Sequence, residues 1–118
     1  MRHNFRDLTI WKDSLALAKE SYMLTSQLPT EEKYGLCSQL NRCAVSIPSN
    51  IAEGFGRYHY QENIQACRIA RGSLYELDTQ LILSRELGLT KDEKLISQLE
   101  NEIAELGKMI NALLIKLK

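Results

Sequence analysis

Apolar residues return along this chain every three or four positions, the interval that keeps them on one side of an α-helix. The pattern occurs four times. The first stripe runs through Trp11, Leu15, Ala18, Tyr22 and Thr25 and ends at Leu28-Pro29, because a residue preceding proline is steered out of the helical region. The second carries Cys37, Leu40, Ala44, Ile47 and Ile51. Thr30 stands where it would cap this helix, with Glu31 and Glu32 in the first turn, where the helix dipole favours negative charge. Pro48 removes one backbone hydrogen bond from its interior; since the pattern continues to Phe55, a kink is expected and not a break. Gly54 and Gly56 then offer the permissive backbone that ends a helix.

The third stripe holds Cys67, Ala70, Leu74, Leu77 and Leu81 and closes at Gly88. Thr90 and Glu93 read as a capping box that opens the fourth, which runs Ile96, Leu99, Ile103, Leu106, Ile110, Leu113, Leu117. The predicted helices span about 7–27, 31–55, 59–87 and 91–117. Their connections are short, which forces neighbours to run antiparallel, and four apolar stripes can bury one another. The expected fold is all-α, an antiparallel up-down-up-down four-helix bundle forming a single domain over residues 1–118.

Composition narrows the function. Fifteen Lys and Arg are balanced by fifteen Asp and Glu, so no net charge drives attachment to nucleic acid or to an anionic membrane, and such binding would need a local patch. No apolar run approaches the length that spans a bilayer, and the first residues lack a signal-peptide core; a cytoplasmic protein is expected. The three cysteines, Cys37, Cys43 and Cys67, leave one unpaired in any disulfide scheme and lack the spacing of a zinc site. They fall on or beside the apolar stripes, where cysteine acts as a small apolar residue. His3 and His59 are too few and too far apart to mark a metal site, and neither a phosphate-binding glycine loop nor a serine elbow is present. No enzyme, cofactor, metal or small-molecule substrate is expected.

What remains is a surface. At 100° per residue, Gln39, Arg42, Ser46, Asn50 and Glu53 line the side of the second helix opposite its apolar stripe. This side is polar but lightly charged, which fits either a solvated face or one that hydrogen-bonds another protein chain. On the third helix Arg68, Gly72 and Glu76 lie together on the outer side, with Ser73 beside them. A glycine inside a helix costs about 1 kcal/mol relative to alanine, and close approach of another helix would account for it. Ile64, Tyr75 and Ile82 add an apolar flank beyond what a four-helix core requires, which points to self-association. The candidate subunit interface is therefore Gln39, Ser46, Asn50, Glu53, Gly72, Ser73 and Glu76.

Beyond the N-terminal segment every arginine, namely Arg42, Arg57, Arg68, Arg71 and Arg85, falls on the second or third helix or between them. Arginine forks onto phosphates and stacks on bases, and Tyr58, His59 and Tyr60 adjoin Arg57. Arg42, Arg57, Arg68 and Arg71 are the candidate contacts to RNA or to a partner. The alternative use of the same arginines is structural, in ion pairs with Glu53, Glu62 and Glu76.

The run from Gln39 to Arg57, with Ser46-Ile47-Pro48-Ser49-Asn50-Ile51-Ala52-Glu53-Gly54 at its centre, and the later Ile69-Ala70-Arg71-Gly72-Ser73-Leu74-Tyr75-Glu76-Leu77 resemble the four-helix-bundle proteins named for the intervening sequences of 23S ribosomal RNA genes. That family is related to the accessory variability proteins of diversity-generating retroelements. The resemblance covers essentially the whole chain, from Leu8-x-x-Trp11 through Leu28-Pro29-x-Glu31 to the fourth helix. It implies a small bacterial protein, four antiparallel helices per chain, assembled as a ring-like homopentamer. The retroelement relatives are markedly basic and bind a reverse transcriptase and nucleic acid, whereas this chain is neutral. His59 stands where family members often have a capping serine, and Asn63 and Ala66 replace larger apolar residues. The leading expectation is a non-catalytic homo-oligomeric scaffold that binds structured RNA or a ribonucleoprotein partner such as a reverse transcriptase; the alternative is a purely protein-binding assembly module.

Overall fold

The computed structural model describes residues 4–56 and 60–117. Four long helices account for most of them: α1, Thr9–Thr25; α2, Leu36–Phe55; α3, Tyr60–Glu86; and α4, Glu93–Leu117. No strand is present among the described residues. The molecule measures 47 × 23 × 20 Å, and since a helix rises about 1.5 Å per residue, α3 and α4 fit only along its long axis. Packing is cyclic: α1 touches α2 and α4, and α3 touches α2 and α4, and among the described residues the diagonal pairs do not approach at the level of the backbone.

One core cluster draws on all four helices. The stripes expected for α2 and α3 are buried residue for residue, as are Ile96, Leu99, Ile103, Leu106 and Ile110 of α4, with Leu113 and Leu117 packed at its edge. In α1 the expected stripe is off by about one position. Ile10, Ser14, Leu17, Ala18, Ser21, Leu24 and Thr25 face inward, while Leu15 and Tyr22 are 40% and 50% exposed and Trp11 lies at the edge. The serines are the reason. Ser14 spends its hydroxyl on the carbonyl of Trp11 at 2.9 Å, so a small polar side chain can sit inside at little cost where the sequence pattern asks for an apolar one.

The starts of three helices differ from the expected ones. The chain enters through a 3-10 turn, Phe5–Asp7, capped by Asn4 Oδ1 accepting from the Arg6 amide at 3.0 Å, so α1 starts at Thr9. Thr30 does not cap α2: Thr30–Glu32 forms a second 3-10 turn, and α2 begins at Leu36. Residues 30–35 have no apolar side chain to bury except Tyr34, which is 88% exposed, and a helix without a buried face is marginal. At α4 the cap is Asp92 and not Thr90: the Leu95 amide donates to Asp92 Oδ1 at 3.1 Å, while Thr90 Oγ1 accepts from the Asp92 amide at 3.3 Å and Glu93 turns to Arg85. The α3 terminus is as expected. Gly88 takes φ +69°, and the Leu89 and Gly88 amides donate to the carbonyls of Ser84 and Arg85, closing the last turn.

The helix α2 runs unbroken through Pro48. Gly54 is inside it and does not end it; its neighbour is α3, because a β-carbon placed on Gly54 would overlap that of Ala66 and stand 3.0 Å from the Glu62 carbonyl oxygen. The small residues Ala44, Gly54, Ala66 and Ala70 let α2 and α3 pack as the most extensive helix pair in the molecule.

Candidate functional site

The polar residues of α2 divide into two sets. Ser46 and Asn50 are half-buried and lean toward α3, whereas Gln39, Arg42 and Glu53 are exposed. Ser46 Oγ lies 2.9 Å from Ser73 Oγ of α3, and Asn50 Nδ2 donates to the Ser46 carbonyl at 2.7 Å and to Ser46 Oγ at 2.9 Å. One turn and then two turns earlier on α2, the Cys43 thiol donates to Glu76 Oε2 at 3.3 Å and Gln39 Oε1 accepts from Gln80 Nε2 at 3.2 Å. Of the residues expected at a subunit interface, Gln39, Ser46, Ser73 and Glu76 thus make hydrogen bonds across the α2–α3 crease, and Asn50 bonds Ser46 within α2. Half-burial is what makes the bonds of Ser46, Asn50 and Ser73 worthwhile, since an unbonded hydroxyl or amide in such a crease would have lost its water.

Gly72 is exposed, and a β-carbon placed on it would find nothing within 4 Å. Within the chain, no helix approaches it. Around it on the outer side of α3 stand Arg68, Ile69, Tyr75, Glu76, Thr79 and Ile82, all exposed, with Tyr75 at 56%. Across the crease α2 presents Arg42, Val45 and Ser49. The result is an outward face that mixes apolar side chains with two arginines and has bonded serines along its floor.

The described arginines do not gather into one patch. Arg42 and Arg68 are exposed and, among the described residues, have no hydrogen-bond or ion-pair partner. Arg71 is half-buried and donates to Asn111 Oδ1 of α4 at 2.9 Å, which commits it to the α3–α4 seam. Arg57 lies outside the described residues, as does His59. Arg85 grips Glu100 with two nitrogens, at 2.8 and 3.2 Å, and lies 3.6 Å from Glu93, so it ties the end of α3 to the start of α4.

A feature the sequence reading missed is a groove of about 1000 Å³ between the C-terminal half of α1, the 26–35 connection and α2. Tyr22, Leu28, Pro29, Tyr34 and Val45 supply its apolar lining, and Arg42 and Lys33 are also among its walls. At its wall Thr25 Oγ1 donates to Asn41 Oδ1 at 3.0 Å. With the α1 stripe started at Ile10, Tyr22 falls outside the core, which was the available signal.

The thiols are inert by placement. All three are buried; burial, aided by the bond to Glu76, pushes Cys43 up to about 11, and burial raises Cys67 to about 11 against the neighbouring charge of Arg71. Among the described residues no group of three His, Cys, Asp or Glu is placed to hold a metal ion, and no helix is long and apolar enough to cross a membrane.

No curated protein matches the chain. A crystal structure of a protein of unknown function from the S23 ribosomal protein family, from Bacteroides thetaiotaomicron, is similar with a TM-score of 0.81. It covers 90% of this chain and 98% of that chain at 22% identity, a likeness of fold. The family model described as 23S rRNA-intervening sequence protein matches residues 6–112, which takes in all of α1, α2 and α3 and most of α4. The chain belongs to the 23S rRNA-intervening sequence protein family.

Proposed function

We propose that this chain is a non-catalytic scaffold, one antiparallel up-down-up-down four-helix bundle per protomer, assembled as a homo-oligomer, with a pentamer favoured, and that the assembly binds RNA or a ribonucleoprotein partner. The cross-helix partners support the antiparallel topology: Gln39 with Gln80, Cys43 with Glu76, Ser46 with Ser73 and Gly54 with Ala66 rise along α2 as they fall along α3. Gln27 with Asp92 and Glu20 with Gln98 do the same for α1 and α4. Self-association rests on the outward face of α3, where Ile69, Tyr75 and Ile82 surround a glycine that no other described element of its chain approaches.

The observation that carries the RNA reading is the unpartnered state of Arg42 and Arg68 among the described residues. An arginine left free on a neutral protein is available for phosphate, and two such groups per chain are multiplied by assembly. Titration of a structured RNA at rising salt tests it: affinity falls steeply with salt, and Arg42→Ala and Arg68→Ala each lower it and flatten the salt slope by about one unit. Absence of salt-sensitive binding at low ionic strength removes RNA from the account. The groove along α1 and α2, apolar and wide, favours the second reading, a module that binds only protein.

A further inference from the structure

The seam between α1 and α4, remote from the crease just described, holds two carboxyl groups that face each other. Gln98 Nε2 of α4 donates to Glu20 Oε1 of α1. The other oxygen, Glu20 Oε2, is buried and receives no hydrogen bond from any donor among the described residues. Glu102, one turn beyond Gln98, lies within hydrogen-bonding reach of Glu20. Two ionised carboxylates offer only acceptors, so this contact lacks a proton unless one of the pair carries it.

Among the described residues no cation is paired with either carboxyl in place of that proton. Asp13 of α1 adds a negative charge toward Glu102. Asp13, Glu102 and Glu105 line one recess of about 250 Å³ between the two helices, with Ala16, Asn101 and Leu106. Lys108 is 3.5 Å from Glu105, and among the described residues no Lys or Arg pairs with Glu20 or Glu102.

We propose that the Glu20–Glu102 pair holds one proton, donated by the Glu102 carboxyl to Glu20 Oε2, and that this shared proton makes the α1–α4 seam a pH-sensitive clasp. With the proton in place, Gln98 and Glu102 both donate to the same carboxylate and the two helices are joined by a satisfied network. Without it, two negative charges confront one another along the α1–α4 seam, with Asp13 adding a third toward Glu102. Burial, the hydrogen bond to Glu20 and the charges of Glu20 and Asp13 together push Glu102 up from 4.5 to about 7, against the opposing bond from Gln98. The folded form thus keeps a proton that the unfolded chain has already released over this interval. Stability is fully present below about 4.5 and is lost as pH rises through about 7.

Thermal unfolding of the full chain between about pH 5 and pH 8.5 tests the clasp. The wild type loses several degrees of Tm across this window, and Glu102→Gln, whose amide donates at every pH, shows a flatter curve. Parallel curves for the two proteins overturn the proposal. Infrared titration of the folded wild type gives an answer that needs no variant. A carboxylic-acid carbonyl band persists at about pH 6 and vanishes by about pH 8.5. A folded protein with no such band at about pH 6 overturns the proposal equally.

Discussion

Gly54 of α2 and Ala66 of α3 lie so close that Gly54 has no room for a β-carbon. This pair sets the approach of the two helices, and it gives opposite expectations for two glycines that look alike in sequence. Gly54→Ala forces α3 outward and destabilises by about 1 to 3 kcal/mol, read from urea unfolding. Gly72→Ala adds a methyl group in open space to a helix interior and stabilises the isolated chain by about 0.5 to 1 kcal/mol. Equal effects at the two positions would mean that the α2–α3 packing is wrong.

The phase of α1 is open to a similar contrast. Leu17 is buried and Leu15 is 40% exposed, although the sequence pattern places Leu15 in the stripe. Leu17→Ala should cost about 2 to 5 kcal/mol and Leu15→Ala less than about 1 kcal/mol. Leu74 is the control on α3. It is buried, with Cδ2 3.6 Å from where a β-carbon of Gly107 would stand, and Leu74→Ala should cost as much as Leu17→Ala, about 2 to 5 kcal/mol. A reversed order for the two α1 variants would restore the stripe through Leu15 and Tyr22.

The three cysteines should be silent in the folded state. Cys43 and Cys67 keep their protons to about 11, so near neutral pH an alkylating reagent modifies the native protein far more slowly than the unfolded chain, in which all three thiols react. Because both thiols are raised from 9.0, the folded state holds protons that the unfolded chain releases, and their contribution to stability falls as pH climbs from about 9 to about 11. Rapid labelling of native Cys43 would show that the bond to Glu76 opens.

Much of this fold was legible in the sequence. The stripes of α2, α3 and α4 are continuous runs of Leu, Ile, Ala and Cys, so period alone locates their inner sides. The α1 stripe was misread because Ser14 and Ser21 hold inner positions and Leu15 and Tyr22 outer ones, a choice decided by space between helices and not by hydrophobicity. The cap at Asp92 was missed because Thr90 and Glu93 fit the same local rule and only Arg85, from the end of α3, draws Glu93 away.

The candidate surface was legible in part. Helical spacing put Ser46 and Asn50 beside each other, but the bond of Ser46 to Ser73 depends on how α2 and α3 are set against one another, which no single helix encodes. The same holds for Arg71, whose partner Asn111 is forty positions away, and for the pairing of Glu20 with Glu102.

Multi-angle light scattering at micromolar concentration tests the central claim, that the outer side of the α2–α3 pair joins copies of the chain. The expected mass is a multiple of 13.5 kDa, with about five chains favoured, and Gly72→Leu lowers it toward a single chain while helix content is unchanged. A wild-type mass equal to one chain, with the helices intact, contradicts it.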